Sequence, residues 1–273
     1  MNPFVFLRRI RARLALVLTL TLAATALALS GAVSAQAAQC SASSAPTRTA
    51  LLELYTSEGC DSCPPAENWL SQVGINTPHI VPLALHVDYW DTASWHDRYA
   101  SPTFSTRQQA LSERAGTHIV YTPEIAVAGY ELRDWRNPED FKAALAKITA
   151  QASGATIHLD LNDSGAQSIA SASFSQTADA STGGAHAYLA VYENHLVSQI
   201  GGGENRGATL HHEFVVRQWF GPVALVDGRA QIHQPVNLAP DGGKPDPERF
   251  GIAAFVEAAD GTILQATNLP ACR

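Results

Sequence analysis

The sequence has few of the residues that several common kinds of site require. Only four of its 273 residues are cysteines, and only Cys60 and Cys63 are closely spaced. A structural zinc site needs four ligands, usually from two such pairs, so the sequence argues against zinc. The glycine-rich stretch 201–207 has no Lys-Ser or Lys-Thr, which argues against a phosphate-binding loop, and we interpret it as a hairpin loop. There is no internal repeat, heptad pattern or low-complexity tail, which argues against a solenoid or a coiled coil.

Basic residues are also scarce once the N-terminal segment is set apart. Residues 1–37 contain four of the 18 lysines and arginines and none of the 25 acidic residues. The rest of the chain therefore has 14 basic and 25 acidic residues, a net charge of −11. Nucleic acids and anionic membranes attract basic surfaces. The charge therefore argues against both as partners.

The N-terminal segment has the order of regions that is typical of a secretory signal peptide. Arginines at positions 8, 9, 11 and 13 precede an apolar run over 14–29, and the small residues of 35–37 follow it. A membrane anchor is the alternative, but the run is short for a span of about 20 residues. We expect residues 1–37 to be cleaved, and the mature protein to be secreted or periplasmic with no membrane contact.

Export places the four cysteines in a compartment where disulfides persist. Sequence alone allows three pairings, and the economical one joins Cys60 to Cys63 and Cys40 to Cys272. A bridge from Cys40 to Cys272 would close nearly the whole mature chain and constrain the unfolded state by ~5 kcal/mol in the loop-entropy model. We interpret that bridge as structural, and the Cys60/Cys63 pair as available for chemistry.

The first part of the mature chain alternates between strand and helix patterns. Apolar runs predict strands at 49–55, 80–87 and 124–128, and helices are predicted at 64–73, 104–115 and 138–148. Prolines mark the starts of the first and third helices, with Ser62 and Asn137 as their caps. This order predicts a mostly parallel sheet with helices on its faces over residues 38–152.

From residue 155 the pattern changes to a two-residue alternation. Ile157, Leu159 and Leu161 alternate with polar residues, and further strands are predicted at 187–192, 195–200, 214–219, 251–257 and 263–267. Turn residues separate these strands. The pattern predicts a smaller antiparallel β domain over residues 153–273, of a kind compatible with a sandwich.

The Cys60/Cys63 pair stands between a predicted strand and a predicted helix. A cysteine at a helix N-terminus meets free N–H groups and the positive end of the helix dipole, and both stabilise the thiolate. We expect Cys60 to attack a substrate and Cys63, one turn further on, to resolve the mixed disulfide. An inert local disulfide is the alternative.

Thr122 and Pro123 are the other predicted site residues. In thioredoxin-like folds a cis-proline faces the cysteine pair and presents backbone groups to a peptide, and cis bonds are almost confined to proline. Pro123 stands directly before the third predicted strand, which matches that position. An ordinary loop proline is the alternative.

Several motifs together resemble one protein family. They are Glu53–Ala66 (ELYTSEGCDSCPPA), His86–Asp91 (HVDYWD), Ala100–Phe104 (ASPTF), Tyr121–Glu124 (YTPE), Gly203–Gly207 (GENRG) and His212–Arg217 (HEFVVR). The sequence is identified as a member of the secreted, thioredoxin-like domain-of-unknown-function family twelve twenty-three. The resemblance implies a thioredoxin-like α/β fold with a C-terminal extension, an exported location and no established substrate. Glu124 stands where the family usually has Gln, and Ala128 replaces a common acidic residue.

Two further groups of polar residues allow more than one interpretation. His86, Asp88 and Asp91 follow the second strand, where they could orient a peptide or where Asp88 could relay a proton to Cys63. We slightly favour the alternative, in which the neighbouring tryptophans cover the core and the acids face solvent. The segment His211–Glu213 suggests copper or zinc, but the two adjacent histidines of a strand face opposite sides and cannot easily share one ion.

These observations predict a thiol–disulfide oxidoreductase that acts on protein thiols or disulfides without a bound cofactor. The first alternative is a non-catalytic binding module, because the large β region carries no assigned chemistry. The second is a copper carrier that uses Cys60, Cys63 and a histidine.

Overall fold

The structure is a computed structural model that describes residues 38–163, 167–177, 183–242 and 249–270. The predicted signal peptide and Cys272 lie outside the described residues. Cys40 is disulfide-bonded, and its predicted pairing with Cys272 also lies outside them. None of the described helices has the length and apolar character that a membrane span requires.

Strands outnumber helices in the described part of the chain. The helices are α1 (Pro64–Asn76), α2 (Pro102–Arg114) and α3 (Pro138–Thr149), with a short 3-10 helix at Asp88–Trp90. The strands are β1 (Ala38–Ser43), β2 (Ala50–Thr56), β3 (Ile80–His86), β4 (Glu124–Val127), β5 (Tyr130–Glu131), β6 (Ala155–Asp163), β7 (Ser168–Gln176), β8 (His186–Glu193), β9 (Leu196–Gln199), β10 (Thr209–His212), β11 (Val215–Ala224), β12 (Arg229–Val236), β13 (Phe250–Glu257) and β14 (Ile263–Pro270).

All three predicted helices are confirmed, and each begins at a proline, whose missing N–H is of little cost in the first turn. Asn137 caps α3 as predicted, because its side-chain oxygen accepts from the Glu139 N–H at 3.1 Å. Ser62 does not cap α1. Cys63 occupies that N-cap position instead and makes no side-chain capping bond.

An eight-stranded sheet forms the centre of the molecule, in the order β14-β13-β8-β11-β3-β2-β4-β5. Strand β3 runs parallel to β2 on one side and to β11 on the other, and the remaining neighbours are antiparallel. The β3–β11 ladder is short: Ala84 is paired with Val215, and its N–H donates to the Phe214 carbonyl at 2.8 Å. This ladder joins strands that are far apart in sequence.

The predicted fold class is wrong. We expected a thioredoxin-like α/β domain with a mostly parallel central sheet and flanking helices, followed by a smaller antiparallel β domain. The molecule is instead mostly β, with one large mixed sheet and a four-stranded antiparallel sheet of order β1-β6-β7-β12. Only two of the seven pairings in the large sheet are parallel.

The error has a physical cause. Hydrophobic periodicity identifies strands one at a time and says nothing about their partners. Strands β8, β11, β13 and β14 were predicted individually, yet they extend the sheet that contains β2 and β3. Strands from both sides of residue 152 thus share one sheet. The predicted domain boundary near that residue stays a prediction. The short or polar strands β1, β5, β7, β10 and β12 were not predicted.

Two apolar cores stabilise this arrangement. The first surrounds β2 and β3 and includes the inner faces of the three helices. The second lies between the four-stranded sheet and the β8–β13–β14 part of the large sheet, and the predicted alternation places Ile157, Leu159 and Leu161 in it. Burial of each such aliphatic side chain contributes ~1.5–3 kcal/mol.

Replacing Phe255 should test whether the large sheet unfolds as one unit. Phe255 is fully buried, stacks on Tyr188 at 4.7 Å and lies under the Arg107 guanidinium at 5.1 Å. We expect Phe255→Ala to lower the free energy of unfolding by about 3–5 kcal/mol. Urea denaturation followed by tryptophan fluorescence and by circular dichroism should give one coincident transition. Val226→Ala, at a 70% exposed position, is the control, and two separate transitions would contradict the expectation.

Candidate functional site

Cys60 and Cys63 lie in the loop between β2 and α1, and they form a disulfide. We call this segment, residues 57–63, the cysteine loop. Strand β2 ends at Thr56, and the loop turns into α1, where the Ala66 and Glu67 N–H groups donate to the Cys63 carbonyl at 2.9 and 3.1 Å. The pair therefore stands where the sequence predicted it, between a buried strand and the start of a helix.

The predicted residues Thr122 and Pro123 come close to this loop. The Ser62 hydroxyl lies 3.3 Å from Cys60 Sγ and donates to the Thr122 carbonyl at 3.4 Å. Trp90 fixes the same threonine, because its Nε1 donates to Thr122 Oγ1 at 2.9 Å. The Thr122–Pro123 peptide bond is cis. Whether these two residues hold a substrate backbone stays a prediction.

Both cysteines are completely buried in this conformation. The segment that connects β9 to β10 binds the backbone beside them, and we call its residues 200–208 the covering loop. The Asn205 side-chain amide donates to the carbonyls of Glu58 and Cys60 at 3.0 and 2.7 Å, and the Glu204 N–H donates to the Gly59 carbonyl at 2.9 Å. Because neither cysteine has exposed surface, a reagent can reach the sulfurs only after neighbouring residues move, and this loop is bonded directly to the cysteine-bearing segment.

The covering loop requires glycine at the point where it comes closest to the cysteine loop. Gly203 has a φ of +67°, and a Cβ at this position would lie 2.6 Å from the Gly59 Cα. The sequence indicated a hairpin loop here, and the antiparallel β9–β10 pair confirms the hairpin. It did not indicate that the loop binds the Cys60 carbonyl, because that contact joins residues 145 positions apart.

A buried polar cluster lies beside the cysteine loop, and we call it the histidine–carboxylate cluster. It consists of Glu58, Glu67, His86, Asp97 and His212, all of which are buried. His212 Nδ1 is 2.5 Å from Glu67 Oε2, and its Nε2 is 3.4 Å from Glu58 Oε1. His86 Nδ1 is 2.7 Å from Asp97 Oδ2. The two imidazole rings are 5.4 Å apart, edge to face.

The side chains of this cluster stabilise one another's charges by pairing. Burial by itself lowers the pKa of His212, but the hydrogen bonds and negative charges of Glu58 and Glu67 outweigh it and raise that pKa to about 10. Burial raises the pKa of Asp97, but the charge and hydrogen bond of His86 and two backbone N–H donors outweigh it and lower the pKa to about 2. Buried ions of this kind persist only when each has partners.

The structure separates several residues that the sequence grouped together. His211 is exposed while His212 is buried, as the alternation predicted, and Glu213 pairs with His195 at 2.9 Å. The three do not form a common site. Asp88 binds the Ser105 hydroxyl, and its predicted role as a proton relay to Cys63 stays untested. Sequence reasoning assigned no role at this site to Asn205 or to Glu67.

Glu124, which follows Pro123, is a further buried acid near the site. Its Oε2 accepts from Gln108 Nε2 at 2.6 Å, and the same amide donates to the Tyr121 carbonyl at 2.7 Å. Burial raises the pKa of Glu124 to about 7, against the opposing effect of the Gln108 hydrogen bond. The carboxyl is therefore partly protonated near neutral pH.

Comparison with known proteins places the chain in a family. The model of the DUF1223 family, whose description is "protein of unknown function", matches residues 51–257. The chain belongs to the DUF1223 family. The matched segment contains both cysteines, Thr122, Pro123 and the covering loop. A comparison with curated proteins gave no match.

Two solved structures are similar to this DUF1223 protein. Protein AGR_C_4864 from Agrobacterium tumefaciens has 22% sequence identity and a TM-score of 0.60, over 82% of this chain and 95% of that chain. HBP35 of Porphyromonas gingivalis has 17% identity and a TM-score of 0.62, over 84% of this chain and 76% of that chain. At these identities the similarity concerns the fold alone.

Removing the Asn205 side chain should expose the disulfide. The Asn205→Ala substitution deletes two hydrogen bonds of about 1 kcal/mol each, so we expect roughly 10- to 30-fold faster reduction by dithiothreitol. The rate can be measured by thiol labelling under native conditions. Gln199→Ala, in the same hairpin, is the matched control because Gln199 bonds only Thr209 there. An unchanged rate in Asn205→Ala would show that the loop does not limit access.

Glu124 should make stability depend on pH. Its folded pKa of about 7 exceeds the ordinary 4.5, so its contribution is most favourable below pH 4.5 and is lost as pH rises through 7. We expect Glu124→Gln to gain stability relative to the natural protein at pH 8 and not at pH 4.5. Urea denaturation at both pH values measures this, with the exposed Glu113→Gln as control. A pH-independent difference would contradict the shifted pKa.

Proposed function

We propose that the protein is an exported thiol–disulfide oxidoreductase that acts on protein thiols or disulfides through Cys60 and Cys63. The observation that carries the proposal is the Cys60–Cys63 disulfide directly before α1, where the N-terminal N–H groups of a helix favour a thiolate. The nearby Thr122 carbonyl, 3.4 Å from the Ser62 hydroxyl, supplies a backbone acceptor beside the pair. The proposed location rests on the predicted signal peptide.

The proposed reaction is an exchange that needs no bound cofactor. In the reduced protein, the Cys60 thiolate attacks one sulfur of a substrate disulfide and expels the other as a thiolate. The Cys63 thiolate then attacks Cys60 Sγ, releases the second substrate thiolate and leaves the Cys60–Cys63 disulfide. Two electrons pass to the substrate, whose thiolates take up protons from solvent. The reverse sequence oxidises a substrate dithiol.

Burial of the sulfurs adds a requirement to this mechanism. Because both cysteines are buried and Asn205 and Glu204 bind the backbone of the cysteine loop, we propose that a protein substrate displaces the covering loop before a sulfur is attacked. Asp61 also binds this loop, since its N–H donates to Glu204 Oε2 at 3.2 Å. The proposal therefore includes an open form in which these bonds are broken.

The burial of the sulfurs also favours a second candidate, a non-catalytic binding module in which the disulfide is purely structural. The Cys60→Ser/Cys63→Ser double variant discriminates between the two functions. Partner capture that survives the double substitution supports the binding module. Capture that depends on both cysteines supports the oxidoreductase.

Mixed-disulfide trapping tests the proposed reaction directly. In Cys63→Ser the resolving sulfur is absent, so we expect substrates to stay covalently attached to Cys60 in the exported compartment. Non-reducing electrophoresis should show adducts that dithiothreitol releases, and Cys60→Ser is the matched control without adducts. If glutathione and thioredoxin cannot reduce the pair in the folded natural protein, the enzymatic proposal is wrong.

A further inference from the structure

A cavity at the edge of the large sheet has no role in the proposed redox reaction. It is lined by β5, the last strand of that sheet, and by the C-terminal half of α3, and its volume is about 420 Å³. Cavities of roughly 300–1,000 Å³ hold small-molecule ligands. Its lining is mostly apolar and includes Val127, Leu132, Ala144 and Ile148. The cavity therefore has the size and the character of a site for a small, largely apolar molecule.

Hydrogen bonds between the residues that line the cavity hold its walls in place. The Tyr130 hydroxyl on β5 lies 2.8 Å from Thr262 Oγ1, directly before β14. The Arg48 N–H donates to the Gln151 carbonyl at 3.0 Å, which ties the segment before β2 to the end of α3. All four residues line the cavity. Since most ligand sites are largely formed before the ligand binds, these bonds agree with a binding site.

Arg48 brings a positive charge to this apolar cavity. Its Nε is buried and has no hydrogen-bond partner, and no carboxylate of the described residues pairs with its guanidinium. Burial lowers the pKa of Arg48, and the neighbouring Tyr130 opposes this effect only in part. A guanidinium that loses water without gaining an anion is destabilised, so an anion that binds beside it recovers part of the cost.

Two more charged residues line the cavity, and one of them is already paired. Lys147 of α3 is exposed and has no carboxylate partner among the described residues. The Glu131 carboxylate accepts from Arg133 Nε at 3.1 Å and from the Tyr121 hydroxyl. Because Arg133 offsets the charge of Glu131, the two cations that remain, Arg48 and Lys147, favour a negatively charged ligand.

We propose that this cavity binds an aliphatic monocarboxylate, a fatty acid of medium chain length, with its carboxylate at Arg48 and its chain against Val127, Leu132 and Ile148. The planar guanidinium matches the two oxygens of a carboxylate. A single negative charge is favoured over the two of a phosphate monoester, because Glu131 lines the same cavity and the chain after residue 37 has a net charge of −11. The proposal does not depend on the redox function.

Calorimetric titration of the protein with decanoate, below the concentration at which decanoate forms micelles, tests the proposal. We expect saturation at one equivalent per chain and a higher melting temperature in the presence of decanoate. Decan-1-ol has the same chain without a charge, and decyltrimethylammonium carries the opposite charge. Both should bind about 10- to 100-fold more weakly, because neither bonds the guanidinium as an anion. The Cys60→Ser/Cys63→Ser variant should bind decanoate as tightly as the natural protein.

Three substitutions and one control locate the site. Arg48→Met keeps an apolar stem without the charge and should weaken decanoate binding about 10- to 100-fold. Ala144→Phe should fill the cavity and abolish binding, and Lys147→Met, at an exposed position, should weaken binding about 2- to 5-fold. Lys142→Met is the control, because Lys142 lies on the same helix with its side chain 73% exposed and pairs with Glu139.

Circular dichroism of each variant checks folding, and Lys147→Met and Ala144→Phe decide the outcome if Arg48→Met unfolds. Three results would overturn the proposal. The natural protein could show no saturable binding of decanoate, decan-1-ol could bind as tightly as decanoate, or a folded Arg48→Met or Ala144→Phe variant could keep the natural affinity.

Discussion

The short ladder between β3 and β11 is the constraint on which the candidate site depends. It fixes Val215 beside Ala84 and so places the residues just before β11 against the end of β3. His212 comes to lie 5.4 Å from His86, and the β9–β10 hairpin comes to lie over the cysteine loop. Without this pairing the cysteines and the residues that cover them would belong to unconnected parts of the chain.

Burial then determines how the polar groups of the site can behave. Charges that are removed from water must find partners within the protein, and the histidine–carboxylate cluster satisfies this need through close contacts between residues of α1, β3, β10 and the connecting loops. The Thr56 hydroxyl, which donates to Glu67 Oε1 at 2.6 Å, adds a further bond. The cluster is therefore a closely bonded group beside the cysteine loop, which contains Glu58.

The covering loop differs from this cluster in how it is held. Four hydrogen bonds join it to the cysteine loop: three use the side chains of Glu204 and Asn205, and one uses the Glu204 N–H. Few hydrogen bonds need to break for the loop to leave, because each contributes only ~0.5–1.5 kcal/mol. The molecule thus combines a closely bonded histidine–carboxylate cluster with a covering loop that is held by a small number of hydrogen bonds.

The local features could be predicted from residue order alone: the three helices and the cap at Asn137, the alternation of β6, the position of the cysteine pair before α1, and membership of the family. These depend on residue type and short spacing, which a sequence displays directly. Three other features could not be predicted: one mixed sheet runs through both halves of the chain, the Asn205 amide binds the Cys60 carbonyl, and Glu58 and Glu67 flank His212. Those contacts join residues far apart in sequence, and hydrophobic periodicity carries no information about which distant strands will pair.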